Sequence, residues 1–115
     1  MSALKKNLLL EQRATFRLVL TWKDAKLFPI NLTGYSARLQ IRLTPTSAVL
    51  FEASSANGKI VLGGATGLIT VTITDEETSA LTFTNAVYDL KLGAPDGSAI
   101  RLLQGTVVLS PGVTV

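Results

Sequence analysis

The sequence predicts an all-β fold, a two-layered β-sandwich of about seven or eight antiparallel strands with one short helical turn. Three observations carry this. Apolar side chains recur at every second position in several short stretches, the period that sends successive side chains to opposite faces of a strand. Turn signals built from Gly, Pro, Asn and Asp separate these stretches at intervals of about 8–12 residues. The length of 115 residues with 47% hydrophobic content suits one core, since surface scaling puts about two-thirds of such a chain's surface inside. One sandwich over 1–115 is expected, with 1–7 and 112–115 as extended termini that touch partners.

Taken in order, residues 6–10 read as a short edge strand. Residues 15–22 alternate clearly: Phe16, Leu18, Leu20 and Trp22 share one face, with Arg17, Val19 and Thr21 on the other. Lys23-Asp24-Ala25-Lys26 breaks the pattern, and Pro29 cannot donate to a central ladder, so a turn and a brief extended piece through Ile30 and Leu32 follow. Residues 35–43 form the clearest strand, with Tyr35, Ala37, Leu39, Ile41 and Leu43 inward and Ser36, Arg38, Gln40 and Arg42 outward. A loop at 44–47 leads to a strand over 48–53, and Asn57-Gly58 signals a type I′ hairpin back into 59–62. Glycines 63, 64 and 67 frame a turn before the β-branched strand 68–73. Thr74 with Glu77 three residues on fits a capping box for a single helical turn. Residues 86–92 place Tyr88, Leu90 and Leu92 inward and Val87, Asp89 and Lys91 outward; Pro95-Asp96-Gly97 turns the chain into a last strand over 99–109. Adjacent Leu102 and Leu103, with Gly105 close behind, suggest a bulge there.

Composition narrows the function. With no cysteine there is no disulfide, thiolate nucleophile or thiolate metal site, and with no histidine the commonest general base and metal ligand is gone. Nothing pairs two carboxylates across a cleft, so an enzyme is not expected, nor a catalytic residue, metal or cofactor. The net charge is +3 with a pI near 9.5. The basic residues are scattered, Lys5-Lys6 being the only adjacent pair, and aromatics are 6%, which argues against nucleic acid as a partner. No apolar run approaches the ~20 residues of a membrane helix, and Leu8-Leu9-Leu10 is shorter than the ~7–15 residues of a signal-peptide apolar region. No membrane partner is expected, and the chain is expected to begin near Met1, in a reducing compartment or in something assembled there.

Each local motif carries two readings. Asp75, Glu76 and Glu77 could bind a hard cation, but acids in a first helical turn complement the helix dipole, and calcium-loop spacing is missing. The glycines at 63, 64 and 67 lead into a strand and lack the Lys of a phosphate loop, so they read as turn residues. Asn31-Leu32-Thr33 matches a glycosylation sequon or, without secretion, a backbone-bonding turn. Arg38, Gln40 and Arg42 line one strand face, with Arg17 a possible neighbour: either a solvated face balanced by Glu52 or Asp89, or a docking surface for an acidic partner.

The run QRATFRLVLTWKDAKLFPINLTGYSARLQIR, with its Asn31-Leu32-Thr33-Gly34-Tyr35 corner, resembles a small-domain family encoded in tailed bacteriophages and prophages. The later segments NGKIVLGGATGLITVTIT, AVYDLKLGAPDG and RLLQGTVVLSPGVT are similar to the same family, so the resemblance spans residues 8–113. A similar corner occurs in the N-terminal immunoglobulin-like domain of siphophage upper baseplate proteins. The resemblance implies an immunoglobulin-like sandwich acting as a non-enzymatic virion structural protein, a multi-copy accessory or adaptor module of the tail, baseplate, neck or fibre base. Its partners would be other virion proteins and copies of itself in a symmetric assembly, in a virion assembled in the bacterial host cytoplasm. Two alternatives stand beside it: a capsid decoration protein clamping capsomers, and a carbohydrate-binding host-attachment module, which would need exposed aromatic rings. Here Lys26-Leu27-Phe28 replaces the polar turn of the family, and Ala14 stands at a turn position. Leu27 and Phe28 either tuck under the sandwich or bury in a neighbour. The candidate interface is therefore Arg17, Arg38, Gln40, Arg42, Leu27 and Phe28.

Overall fold

The computed structural model describes residues 4–111. Nine strands among them make two sheets: β1 (Leu4–Lys5), β2 (Leu8–Glu11), β3 (Phe16–Thr21), β4 (Ser36–Arg42), β5 (Val49–Ser54), β6 (Ile60–Leu62), β7 (Leu68–Ile73), β8 (Asn85–Gly93) and β9 (Ala99–Ser110). The large sheet runs β1-β9-β8-β4-β5, with β2 also on β9, and the small sheet runs β3-β7-β6. The two inner faces interdigitate Leu39, Ile41, Leu90 and Leu92 with Leu18, Ile69, Val71 and Ile73, all buried. Each such side chain contributes on the order of 1.5–3 kcal/mol by leaving water. Strands β3, β7 and β6 facing β9, β8, β4 and β5 form an immunoglobulin-like sandwich.

The local devices read from the sequence are present. Thr74 caps the helical turn α1 (Asp75–Ser79) in a reciprocal capping box with Glu77. The ladder between β8 and β9 slips one residue beside Leu90, so Leu102 and Leu103 are both buried across a bulge. Asp96 accepts from the Ser98 N–H at 2.8 Å in the β8–β9 turn. Asn31 holds both the N–H and the hydroxyl of Thr33, the turn-forming role of that triplet.

Four expectations are corrected. The strands are not all antiparallel: β1 and β2 run parallel to β9. Alternation carries no strand direction, and β9 is long enough to seat both pieces beyond β8. Between them the chain breaks where Tyr88 donates to the Lys6 carbonyl and the Thr106 N–H reaches Asn7 Oδ1. That carbonyl lies so near Gly105 that any Cβ there would overlap it. Residues 4–7, expected as part of an extended terminus that touches partners, are thus tied to the chain's own sheet; 1–3 and 112–115 lie outside the described residues.

Asn57-Gly58 does not make a hairpin. β5 pairs with β4, and β6 pairs with β7 in the other sheet, so this turn carries the chain between layers. Gly58 has the positive φ of +80° that the signal anticipates, but the Asn57 carboxamide is spent on the Ser54 and Lys59 N–H groups and the Glu52 carbonyl. Finally, Leu43 is not inward: it is 51% exposed. The β4–β5 register shifts after Ile41 and the strand ends at Arg42, so the alternation does not reach the next residue.

Candidate interaction surface

The outer face of the large sheet is built by register. Across β5, β4, β8 and β9, one row reads Ser54, Arg38, Lys91, Arg101 and the next reads Glu52, Gln40, Asp89, Gln104. Three cations therefore stand side by side on neighbouring strands, an arrangement that like-charge repulsion disfavours. The arginines relieve it diagonally: Arg38 meets Glu52 at 3.2 Å and Arg101 meets Asp89 at 3.4 Å. Gln40 donates to Glu52 and accepts from Arg42, whose guanidinium also reaches the Ser47 carbonyl at 2.7 Å. Pro45 overhangs this network and leaves two adjoining depressions of 460 and 310 Å³, both lined by Gln40, Asp89 and Arg101. The face is cationic, shallow and grooved. It can receive an extended acidic segment whose carboxylates would insert between Arg38, Lys91 and Arg101.

The hairpin between β3 and β4 presents the apolar pair. The Asp24 carboxylate accepts from the Lys26 and Phe28 N–H groups, the Asp24 N–H donates to the Phe28 carbonyl, and Lys23 bridges Pro29. Its base is anchored by Trp22, whose ring stands edge-on to Tyr35 with centroids 6.2 Å apart. At the tip, Leu27 is 74% and Phe28 64% exposed. Leu27 also adopts φ +67°, a left-handed backbone that costs a branched, bulky residue about 1–2 kcal/mol. Of the two fates open to this pair, tucking under the sandwich is not the one adopted.

Of the six candidate residues, Arg38, Gln40 and Arg42 come together on one face and Leu27 and Phe28 share one tip. Arg17 joins neither, because β3 belongs to the small sheet and pairs Arg17 with Thr72. Lys91 and Arg101 complete the cationic row and were not singled out from the sequence. The alternation of 86–92 already turns Lys91 outward, whereas the bulge beside Leu102 scrambles the phase that would have exposed Arg101.

The remaining motifs are structural. Glu77 is engaged by the Thr74 cap and by an ion pair with Lys59. Its burial pushes the carboxyl up, but the Lys59 and Thr74 hydrogen bonds outweigh this and hold it below the usual glutamate range. Among the described residues no three His, Cys, Asp or Glu side chains gather to hold a metal ion. The glycine run forms a short 3-10 turn, Gly64–Thr66, leading into β7.

No protein-family model matches the chain, and no curated protein sequence matches it. Among solved structures it is similar to the extracellular domains of the voltage-gated sodium channel beta4 subunit, described as parallel homodimers with a role in cell–cell adhesion. The identity is 12%, over 98% of this chain and 97% of that one, with a TM-score of 0.49. A VGSC beta-subunit structure from work on multimeric cell-adhesive interactions is 14% identical over 94% and 92%, TM-score 0.49. Extracellular domains 3–5 of Drosophila OTK are 12% identical over 90% of this chain and 32% of that one, TM-score 0.38. These likenesses concern the backbone path and say nothing of a partner.

Proposed function

We propose that the chain is a non-enzymatic structural protein of a tailed-bacteriophage virion, a multi-copy adaptor module of the tail, baseplate, neck or fibre base. The observation that carries the docking role is the Leu27–Phe28 tip: two large apolar side chains held out on a hydrogen-bonded hairpin at a cost in backbone strain. Two apolar side chains left mostly in water, one of them on a strained backbone, are explained by burial in a neighbour. The cationic row on the outer face of the large sheet offers a separate contact, suited to an acidic stretch of a partner. The phage assignment is supported by the resemblance of residues 8–113 to the phage small-domain family. A carbohydrate platform is disfavoured because Trp22 and Tyr35 pack on each other and on the core, which leaves Phe28 as a single exposed ring among the described residues and no stacking surface around it.

The test is incorporation into particles. Leu27→Gly combined with Phe28→Ser should leave the thermal melt intact and remove the protein from purified virions, while the wild-type chain co-purifies at tens of copies or fewer. Absence of the wild-type chain from particles, or equal incorporation of the variant, overturns the reading. Copy numbers in the hundreds would instead assign it to capsid decoration.

A further inference from the structure

We propose that β3 is a pairing edge through which two copies of this chain join their small sheets into one continuous antiparallel sheet. This gives a geometry to the copy-to-copy contact of the proposed function and rests on that reading for that part alone.

The direction of the backbone groups follows from the bonds already made. The Trp22 N–H donates to the Gly67 carbonyl, the Trp22 carbonyl accepts from Ile30, and the Asp24 N–H donates to Phe28. With the register of Phe16 on Ile73 and Leu18 on Val71, the even-numbered residues of this strand spend their main-chain groups on β7 and on the hairpin that continues it. The N–H and C=O groups of Arg17, Val19, Thr21 and Lys23 therefore all point the other way. Among the described residues no strand pairs there, because β1 and β2, which could have covered this side, lie on β9.

The other edges are blunted in the usual ways. β6 has three residues, the N-terminal edge is broken between β1 and β2, and the β5 ladder carries a register shift. β3 has none of these devices. It contains no Pro or Gly and no bulge, and its outward side chains are Arg17, Val19 and Thr21, with Val19 54% exposed.

The occupant is a second copy because the edge complements itself. A two-fold axis through Val19 sets Val19 against Val19, and Arg17 against Thr21 of the second copy. The outward groups of 17, 19 and 21 then close a ladder with no like charges opposed. Sliding the pair by one step toward the C-terminal end sets Arg17 against Lys23, which repulsion disfavours. On the inner side Leu18 would face Leu20, and Phe16 would face Trp22, covering apolar rings that are only half-buried in the single chain.

The experiment uses the purified full chain alone, so its failure leaves virion incorporation untouched. Sedimentation should show a concentration-dependent dimer. In it the amide protons of Arg17, Val19 and Thr21 should exchange slowly, then rapidly on dilution, while those of Leu18 and Leu20 stay protected throughout. Val19→Lys, which sets like charges face to face, should raise the dissociation constant at least about tenfold with an unchanged melt. Val19→Pro should do the same, because the lost N–H serves no bond within the chain. Thr21→Glu should tighten the dimer by offering Arg17 a carboxylate, and Thr21→Lys should weaken it. A chain that is monomeric up to about millimolar concentration, a dimer indifferent to Val19→Lys, or a dimer whose odd-numbered β3 amides exchange freely would overturn the proposal.

Discussion

The two outer faces of the sandwich differ in kind. The large sheet turns Arg38, Lys91 and Arg101 outward beside Asp89 and Glu52, and their side chains are stitched together by ion pairs and amide bonds. The small sheet turns out Arg17, Val19, Thr21, Thr70, Thr72 and Val61, among which Arg17 is the single charge. A charged face reads carboxylates from solution at long range and resists close approach by its like. A face of mostly β-branched side chains with a single charge offers main-chain hydrogen bonds at its edge and tolerates a copy of itself. The same core therefore supports two separate surfaces, one suited to an unlike partner and one to a like partner.

The largest effect that separates inside from outside is on β4. Leu39→Asp buries an unpaired carboxylate between the sheets and should abolish cooperative melting, whereas Arg38→Ala, one residue away on the outer face, should cost within about 1 kcal/mol. A native melt for Leu39→Asp would mean the faces are reversed.

Next in size is the seam that ties the N-terminal strands to the large sheet and so leaves β3 bare. Gly105→Ala should drive the Lys6 carbonyl away, break its bond to Tyr88 and lower stability by about 1–3 kcal/mol in a thermal melt. Burial pushes the Tyr88 phenol up to about 12 from 10, so it ionises later in the folded than in the unfolded chain. Its contribution is fully present below pH 10 and is lost as the pH rises through 12. An ultraviolet titration should find this late phenol in the wild type and an earlier one in Gly105→Ala.

Smaller still is the cap joining β7 to β8. Glu77→Gln keeps the capping-box geometry but removes the charge that Lys59 pairs with, and should cost within about 1 kcal/mol. Because the folded carboxyl sits below its usual range, its stabilisation is present above the unfolded pKa and fades as the pH falls through the folded one. The wild-type advantage should therefore vanish in acid, which melts of both proteins across the acid range would check.

The smallest effect sharpens the comparison most. Lys91→Glu converts a row of three cations into alternating charge and should raise stability by up to about 1 kcal/mol while weakening any acidic partner. A destabilised Lys91→Glu would show that the row is not strained.

Much of this was legible locally. The inward rows of β4 and β8, the capping box at Thr74, the bulge at Leu102 and the turn at Asp96 each depend on neighbours within a few positions, and side-chain alternation and turn chemistry carry such information. The site was half legible. Arg38, Gln40 and Arg42 share a face by period alone, but Lys91 and Arg101 join them only through a register that no single strand contains. Arg17 looked like their neighbour because alternation says which residues share a face of one strand and nothing about which sheet that strand enters.

Chain chemistry by itself determined a chain without cysteine or histidine, an all-β body and most of the inner rows of β3, β4 and β8, since hydrophobic period and turn residues act over a few bonds. Tertiary structure decided that β1 and β2 run parallel along β9, that the Asn57-Gly58 turn changes layers, that Leu43 and Leu27 face solvent, and that among the described residues no strand pairs the outer edge of β3. Those outcomes rest on pairings between segments far apart in sequence. Hydrogen-bonding groups are identical along every strand, so only the packed whole selects which strand meets which.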